Sequence, residues 1–484
     1  MAERPVLLWF RQDLRLADNP ALAAAIAGKT PIVPVYILDD AADDPWRPGA
    51  ASRWWLHHSL TALDKSLQQR GSRLVFRIGG AEETLRALVR ETDAGSVFWN
   101  RCYEPAAIAR DTHIKKALSD AGLDVQSFNA ALLHEPWTVK TQQGEPYKVF
   151  TPFWRAIRAL PKEPIKGAAP KSLRAPDTWP RSQALADASL LPTQPDWAGG
   201  MREAWQPGEA GAKRQLADFL DERVGGYPQG RDRPDQIGTS RLSPFLHFGE
   251  IGPRQIWQAT MAHVGSSKGS DAAAESFLRE IGWREFTHHL LFHWPKLPDA
   301  NWRSDFDAFP WLSNDAGLRA WQRGMTGYPI VDAGMRELWQ TGWMHNRVRM
   351  VVASFLIKDL LIDWRAGERW FWDTLVDADL AQNAASWQWV AGSGADAAPY
   401  FRIFNPVLQG RKFDPDGAYV RRYVPELAAL PTEHIHAPWA APDAVLAKAR
   451  IQLGKTYPAP IVDHAVARDR ALEAYKTTRE SAPD

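Results

Sequence analysis

Along the first 135 residues, short apolar runs alternate with longer segments of helical spacing. The runs are Val6–Phe10, Ile32–Leu38, Arg73–Ile78, Ser96–Trp99 and Val125–Phe128; between them, Pro20–Ala27, Arg53–Gln69, Ala81–Thr92 and Asp111–Ala121 read as helices. A continuous apolar run suits a strand buried on both faces, and each interposed helix supplies the crossover that parallel pairing needs. The pattern predicts an α/β domain over residues 1–134, built on a doubly wound parallel sheet. Such sheets bind ligands beyond the carboxyl ends of their strands. Here, however, the first strand runs into Arg11-Gln12-Asp13-Leu14-Arg15 and not into a glycine-rich phosphate loop. A dinucleotide held in the Rossmann manner is not expected there.

The character changes at Glu135. Thr151 to Arg155 opens a helical segment, but Pro161 to Trp197 is crowded with Pro, Ala and Ser, and residues 135–200 read as an interdomain connector, either ordered against the surface or partly mobile. Beyond Trp205 the periodicity is helical. Gly211–Val224 places Leu216, Phe219 and Leu220 on one face, and Pro253–Val264, Ala272–Leu291, Asp315–Arg323, Asp332–Thr341, His345–Leu361 and Gly367–Val376 follow. Nothing there alternates with period two, so residues 201–484 are expected to form an all-α domain. The tail beyond Pro425 is rich in Ala and Pro, with one helical segment near His464–Lys476.

Composition narrows the classes. The 484 residues hold 58 Lys and Arg against 57 Asp and Glu, so bulk charge favours neither nucleic acid nor membrane, and any polyanion site must be a local concentration of charge. The single Cys102 excludes an intramolecular disulfide and suits a reducing cytoplasm. The opening residues lack the apolar core of a signal peptide, and no run of about 18 apolar residues is present to span a membrane. No His/Cys spacing suggests a metal. The 24 tryptophans are unusual: most must be packing, yet so many indoles also invite stacking on planar ligands or electron transfer.

Chemistry concentrates between Asp377 and Pro406. Two carboxylates (Asp377, Asp379), an amide (Asn383) and two indoles (Trp387, Trp389) are interleaved there with Ala, Gly and Ser, which allow close backbone approach to a ligand. Read alone, the stretch serves equally as a ligand seam or as a buried helix–loop–helix with structural tryptophans. Gly238-Thr239-Ser240-Arg241-Leu242-Ser243-Pro244 gathers hydroxyls ahead of a helix, an anion site suited to a diphosphate or an ordinary N-cap. Glu280, Trp283 and Arg284 share a helical face, fit either to meet a base edge or to form a solvated ion pair. His345-Asn346-Arg347-Val348-Arg349-Met350 opens a very apolar helix. A long cation buried beside it needs a partner, and Asp377 and Asp379 are the nearest rich source of negative charge.

Taken in order, Gly238-Thr-Ser-Arg-Leu-Ser243, Trp283-Arg-Glu-Phe286, Gly327-Tyr-Pro-Ile-Val-Asp332, Gly342-Trp-Met-His-Asn346-Arg347, Asp363-Trp-Arg365, Trp387-Gln-Trp389 and Asp396-Ala-Ala-Pro-Tyr-Phe-Arg402-Ile-Phe-Asn-Pro406 resemble the motifs of the DNA photolyase/cryptochrome flavoproteins. The resemblance extends over essentially the whole chain, including Trp9-Phe-Arg-Gln-Asp-Leu-Arg15. It implies an α/β antenna domain, a long connector and a helical domain that holds FAD in a folded conformation.

Carried over residue by residue, the family's flavin contacts match Tyr227, Thr239, Ser240, Arg241, Leu242, Ser243, Asn346, Arg349, Asp377, Asp379 and Asn383. Glu280, Trp283, Asn346, Met350 and Trp389 match its pyrimidine-dimer pocket, with Asn383, Glu280 and Met350 the implied catalytic groups. Arg231, Arg347 and Arg402, with Arg411, Lys412, Arg421 and Arg422, supply a local basic patch for the phosphates of UV-damaged DNA. Trp387, Trp364 and Trp311 match an electron relay from flavin to surface. Asn383, where plant cryptochromes typically carry Asp, leans toward repair over a blue-light photoreceptor. Asn346 and Met350, where (6-4) enzymes carry His, lean toward the cyclobutane dimer, and Trp387-Gln-Trp389 leans away from the branch that prefers single strands. Arg101-Cys-Tyr-Glu-Pro105 and Lys148-Val-Phe-Thr-Pro-Phe-Trp154-Arg155 resemble bacterial class III photolyases, which implies a methenyltetrahydrofolate antenna with Glu145 and Trp154 as neighbours; a deazaflavin or an empty antenna site is the alternative. A monomer with no obligate protein partner is expected. A light-independent flavin scaffold is the remaining functional class, and no feature of the chain calls for it.

Overall fold

The computed structural model describes residues 3–39, 45–266, 271–397 and 401–480. Strands β1 (Val6–Phe10), β2 (Ile32–Leu38), β3 (Val75–Ile78), β4 (Ser96–Asn100) and β5 (Asp124–Phe128) form one sheet in the order β3-β2-β1-β4-β5. Every pairing is parallel, with Val6 opposite Ile32 on one side and Ser96 on the other. Helices α1 (Pro20–Ala27), α2 (Ala50–Gln68), α3 (Ala81–Thr92) and α4 (Pro105–Asp120) make the crossovers. All five residues of β1 are buried, as a central strand covered on both faces requires. Helix α4 begins six residues earlier than its apolar spacing indicates because Pro105 stands at its first position, where the missing amide hydrogen is no loss.

At the switch in strand order, between the carboxyl ends of β1 and β4, the fully buried Arg11 side chain pairs with Asp111 at 2.8 Å and lies over the Trp9 ring at 4.3 Å. Asn100 accepts from the amide of Ala21 at 3.1 Å and Asn19 caps α1 through the amide of Leu22 at 3.0 Å. A side-chain network thus occupies the place where a Rossmann fold would cradle a diphosphate.

Between Asn129 and Ala198 the only helical elements are two short 3₁₀ turns and α5 (Phe150–Ala159). The proline-rich part is ordered. Gln183 donates its amide to the carbonyl of Phe76 at 2.9 Å, Ser182 accepts from the amide of Phe76 at 3.0 Å, and Ile32 donates to the carbonyl of Arg174 at 2.9 Å. This segment covers the edge strand β3, whose free amides would otherwise invite pairing with another chain.

The remainder is helical: α6 (Gly199–Ala204), α7 (Glu209–Glu222), α8 (Tyr227–Gly230), α9 (Ser243–His247), α10 (Pro253–Ser266), α11 (Asp271–His293), α12 (Asp315–Gln322), α13 (Pro329–Thr341), α14 (Asn346–Ser354), α15 (Trp364–Thr374), α16 (Leu380–Ala391), α17 (Pro406–Phe413), α18 (Ala418–Tyr423), α19 (Asp443–Lys448) and α20 (His464–Glu480). The helix expected over His345–Leu361 is shorter: α14 ends at Ser354, a π-helical turn spans Phe355–Asp359, and Leu361 is left-handed with φ 51°. Helix α15 starts earlier than expected because Asp363 caps it, accepting from the amide of Arg365 at 2.9 Å.

One apolar core runs without a break from the helix-covered face of the sheet into the helical half. Helix α2 is the seam. Its Trp55 packs on Trp205 at 5.3 Å and Phe245 at 5.1 Å. The Trp55 indole donates to Glu250 at 3.2 Å, the Ser59 hydroxyl donates to the same carboxyl, and so does the amide of Gly208 at 2.5 Å. Burial pushes the Glu250 carboxyl up to about 8, against the pull of these donors. Between the ordinary carboxylate range and pH 8 the folded chain therefore keeps a proton that the unfolded chain has lost. The contribution of this group to stability is full near pH 4 and is lost as the pH rises through 8. In urea unfolding compared at pH 5 and pH 8.5, the wild type should lose on the order of 1–3 kcal/mol more than Glu250→Gln, which cannot titrate; equal losses would contradict this role.

Candidate functional site

The start of α16 is where polar chemistry enters the apolar core. Asp379 caps the helix, accepting from the amide of Gln382 at 2.9 Å, and Ala378, Ala381 and Ala384 keep the surrounding surface low. Asp377 receives both of its hydrogen bonds from one terminal nitrogen of Arg349, at 2.8 and 3.1 Å, while the Arg349 Nε donates to the carbonyl of Met344 at 2.8 Å. Asp379 faces His288 Nε2 at 3.4 Å and His247 Nδ1 at 4.0 Å. The other nitrogen of His288 lies 2.9 Å from the carbonyl of Arg284. An acceptor lies beside each ring nitrogen, an arrangement that favours the imidazolium form. Burial opposes that charge, but Asp379 outweighs it and raises the pKa of His288. Burial would likewise raise the Asp379 carboxyl, yet the charge of His288 beside it, with His247 close by, holds it well below the usual range.

One turn along α16, the Asn383 amide nitrogen donates to the carbonyl of Glu368 at 3.0 Å. A carbonyl accepts only from the nitrogen, so the orientation of the amide is settled and its oxygen remains to accept. The Glu368 side chain beside it is buried, neither carboxyl oxygen has a hydrogen-bond partner, and burial pushes its pKa well above the ordinary value. Its burial favours the protonated form.

The hydroxyl-rich run lies on a loop whose Arg241 is left-handed, with φ 52°. Its guanidinium is sandwiched between Trp205 at 4.3 Å and Trp343 at 4.9 Å, and the Trp343 indole donates to the Ser243 hydroxyl at 3.3 Å. Among the described residues, the backbone amides of Thr239 to Ser243 donate to no acceptor and the Arg241 guanidinium meets no carboxylate, its Nε being buried without a partner. A cation, three hydroxyls and a row of free amides lie together on this loop, and a diphosphate fits that donor set. Tyr227 stands nearby, buried against Phe219 and Phe277 at 5.6 Å each.

On the side of Arg231 and Glu280, two groups read separately in the sequence are paired, at 2.6 Å. Burial raises the Glu280 carboxyl, against the pull of Arg231. Arg284 does not join them: it is buried and donates to the carbonyl of Ala131 at 2.7 Å. Trp283 lies flat on Phe150, 3.6 Å between ring centres and 8° from parallel. Asn346, at the first position of α14, is exposed, and its side chain makes no hydrogen bond among the described residues. Arg347 and Arg349 are both paired and partly buried: Arg347 pairs with Asp232 at 2.7 Å and lies 3.6 Å from the Met350 sulfur. The Trp389 indole donates to the carbonyl of Asp396 at 3.1 Å, and Arg402 is exposed above Phe404. Ala398, Pro399 and Tyr400 of the same motif lie outside the described residues.

Of the three relay indoles, Trp387 and Trp364 are fully enclosed and Trp311 is half-buried against Phe309 at 4.4 Å. Gly367 is what lets Trp387 approach α15, since a Cβ there would meet the indole at 2.1 Å. Of the two antenna candidates, Trp154 is 6% exposed, its ring against Phe150, Trp257 and Gly282, whereas Glu145 is on the surface.

Sequence reasoning missed His288, His247, Glu368 and Phe150. The histidines sit 91 and 132 residues before Asp379, and nothing local marks them as its partners. Phe150 lay within a quoted motif but carries no polar group to draw notice.

Residues 277–477 match the family model described as the FAD binding domain of DNA photolyase, and residues 6–171 match that described as DNA photolyase. The chain is 55% identical to deoxyribodipyrimidine photo-lyase of Agrobacterium fabrum, covering 99% of this chain and 98% of that protein. It is 40% identical to cryptochrome-1 of Arabidopsis thaliana, covering 97% of this chain and 70% of that one. The crystal structure of a bacterial class III photolyase from Agrobacterium tumefaciens matches with a TM-score of 0.96 at 54% identity, over 99% of each chain.

Proposed function

This chain belongs to the DNA photolyase/cryptochrome family, and from that premise we propose the assignment of its parts in the light-driven repair of cyclobutane pyrimidine dimers in DNA. It is a DNA photolyase that uses FAD. Bound in reduced form, FAD supplies light-driven electron donation to the dimer and recovery of the electron once the ring has opened, so no net oxidation occurs.

The chain's own work is binding, orientation and electrostatics. Arg241, with the hydroxyls and amides of Thr239 to Ser243, would hold the diphosphate. Arg349 with Asp377, and Asp379 with His288, would hold the polar edge of the ring system. Asn383 presents only its oxygen, an acceptor without charge, which suits a protonated ring nitrogen of the reduced cofactor. The observation that carries the assignment is the spacing of Asp379, Asn383 and Trp387 along α16. Four residues apart, they lie on one face, so cofactor, acceptor and first relay indole share one wall.

The dimer must leave the base stack to reach that wall. Extrusion costs a few kcal/mol, least where pairing is already damaged, and stacking on aromatic rings returns roughly 1–3 kcal/mol per base. Trp283, backed by Phe150, and Trp389 are assigned that contact. Glu280 would accept from a base edge, its Arg231 partner being free to turn to a phosphate, while Asn346 and Met350 line the remaining side. Exposed Arg402, Arg411, Lys412 and Arg422 would neutralise backbone phosphates, which makes affinity salt-dependent and independent of sequence. Trp387 and Trp364, both buried, and the half-exposed Trp311 are assigned a path that re-reduces the flavin from the surface. The folate antenna implied by the resemblance finds no support at Glu145 and Trp154, and no step is assigned to it.

Illuminating the fully reduced protein with thymine-dimer DNA should convert dimers to monomers; absence of repair would overturn the assignment. Trp364→Phe should lose light-driven flavin reduction but repair normally once reduced chemically, read by flavin absorbance and dimer loss in parallel. Loss of both activities would contradict the relay.

A further inference from the structure

The π-helical turn Phe355–Asp359 holds the least usual buried group of the chain. Lys358 is fully buried, donates to the carbonyl of Ala391 at 3.0 Å, and lies 3.2 Å from the centre of the Phe401 ring. No carboxylate reaches it among the described residues, and burial holds its pKa well below that of free lysine. An amine so placed is kept by the ring face and by the carbonyl end of a helix. That helix is α16, and Ala391 is its last residue. Phe401 in turn stacks on Tyr475 of α20, 4.5 Å between ring centres and 4° from parallel. The neighbouring groups tie the same parts together: the Ser354 hydroxyl accepts from the amide of Phe404 at 3.2 Å, and Asp359 accepts from His464 of α20 at 2.6 Å. The Asp396 carbonyl and carboxylate receive the Trp389 indole at 3.1 Å and the amide of Phe150 at 3.2 Å.

We propose that Lys358 is a positioning residue for lesion recognition: with Tyr475 it clamps Phe401 and the end of α16, so that Trp389 and Arg402 are presented together to the DNA. A π turn is the fitting device, since its extra residue widens the helix, and such turns recur where function rests on a local distortion. The inference rests on the assignment of Trp389 to the lesion. It extends that assignment to two side chains that touch neither flavin nor DNA, one of them on the C-terminal helix.

The test compares Lys358→Met, Tyr475→Leu and Trp389→Ala with the wild-type holoprotein. Readouts are dissociation constants for a dimer-containing and an undamaged duplex, and flavin content. Both clamp variants should bind the dimer about tenfold more weakly, bind undamaged DNA as before, keep their FAD and repair bound dimer at the wild-type rate. Unchanged dimer affinity in both, with weakened binding by Trp389→Ala, would overturn the clamp and leave the lesion assignment standing. Unchanged affinity in all three would overturn the lesion assignment and the clamp with it. Should Lys358→Met fail to retain FAD, Tyr475→Leu decides alone by the same criteria.

Discussion

Two buried carboxylates at the head of one helix organise the molecule. A carboxylate removed from water must be paired or neutralised, and removing one partner of a buried pair costs about 3–5 kcal/mol. Asp377 and Asp379 stand two residues apart and face partners from three different helices: Arg349 from α14, His288 from α11 and His247 from α9. The pairs therefore fix how four helices meet, and with them the rotation of α16 about its own axis. Asn383 and Trp387 inherit their direction from that rotation. Trp389, on a different face of the same helix, is left half-exposed beside the basic surface that follows.

The electrostatics divide the site in two. Around α16 the charges are compensated within the chain, and burial favours the protonated form of Glu368 beside Asn383. On the 239–243 loop the balance is reversed: Arg241 is held between indoles with no carboxylate opposite. A site closed at one end and open to an anion at the other matches a cofactor with an uncharged ring system and a diphosphate. The Arg231–Glu280 pair shows the same economy on the lesion side, where each group satisfies the other at 2.6 Å until DNA can replace one of them.

Much of this was legible in the sequence because it is local. The strand runs of the parallel sheet and the start of α1 fell where the apolar pattern put them, since central strands have no polar face to confuse the reading. A cation beside the apolar turns was expected to draw on Asp377 or Asp379, and Arg349 pairs with Asp377. What escaped has a common cause: it depends on distant pairing or on backbone detail that no residue type signals. His288 and Asp379 meet only in three dimensions, as do Trp283 and Phe150. The π turn at Phe355–Asp359 interrupts a run whose spacing reads as one helix through Leu361.

Asp379 holds the cofactor site through its charge and not through its cap. Asn caps a helix as well as Asp does but offers no charge to His288 or His247, so Asp379→Asn separates the two roles. FAD bound per chain, read from flavin absorbance together with its dissociation on dilution, is the direct measurement. The account predicts unchanged helical content by circular dichroism and FAD held at least tenfold more weakly than in the wild type. Equal retention of FAD by the variant would contradict it.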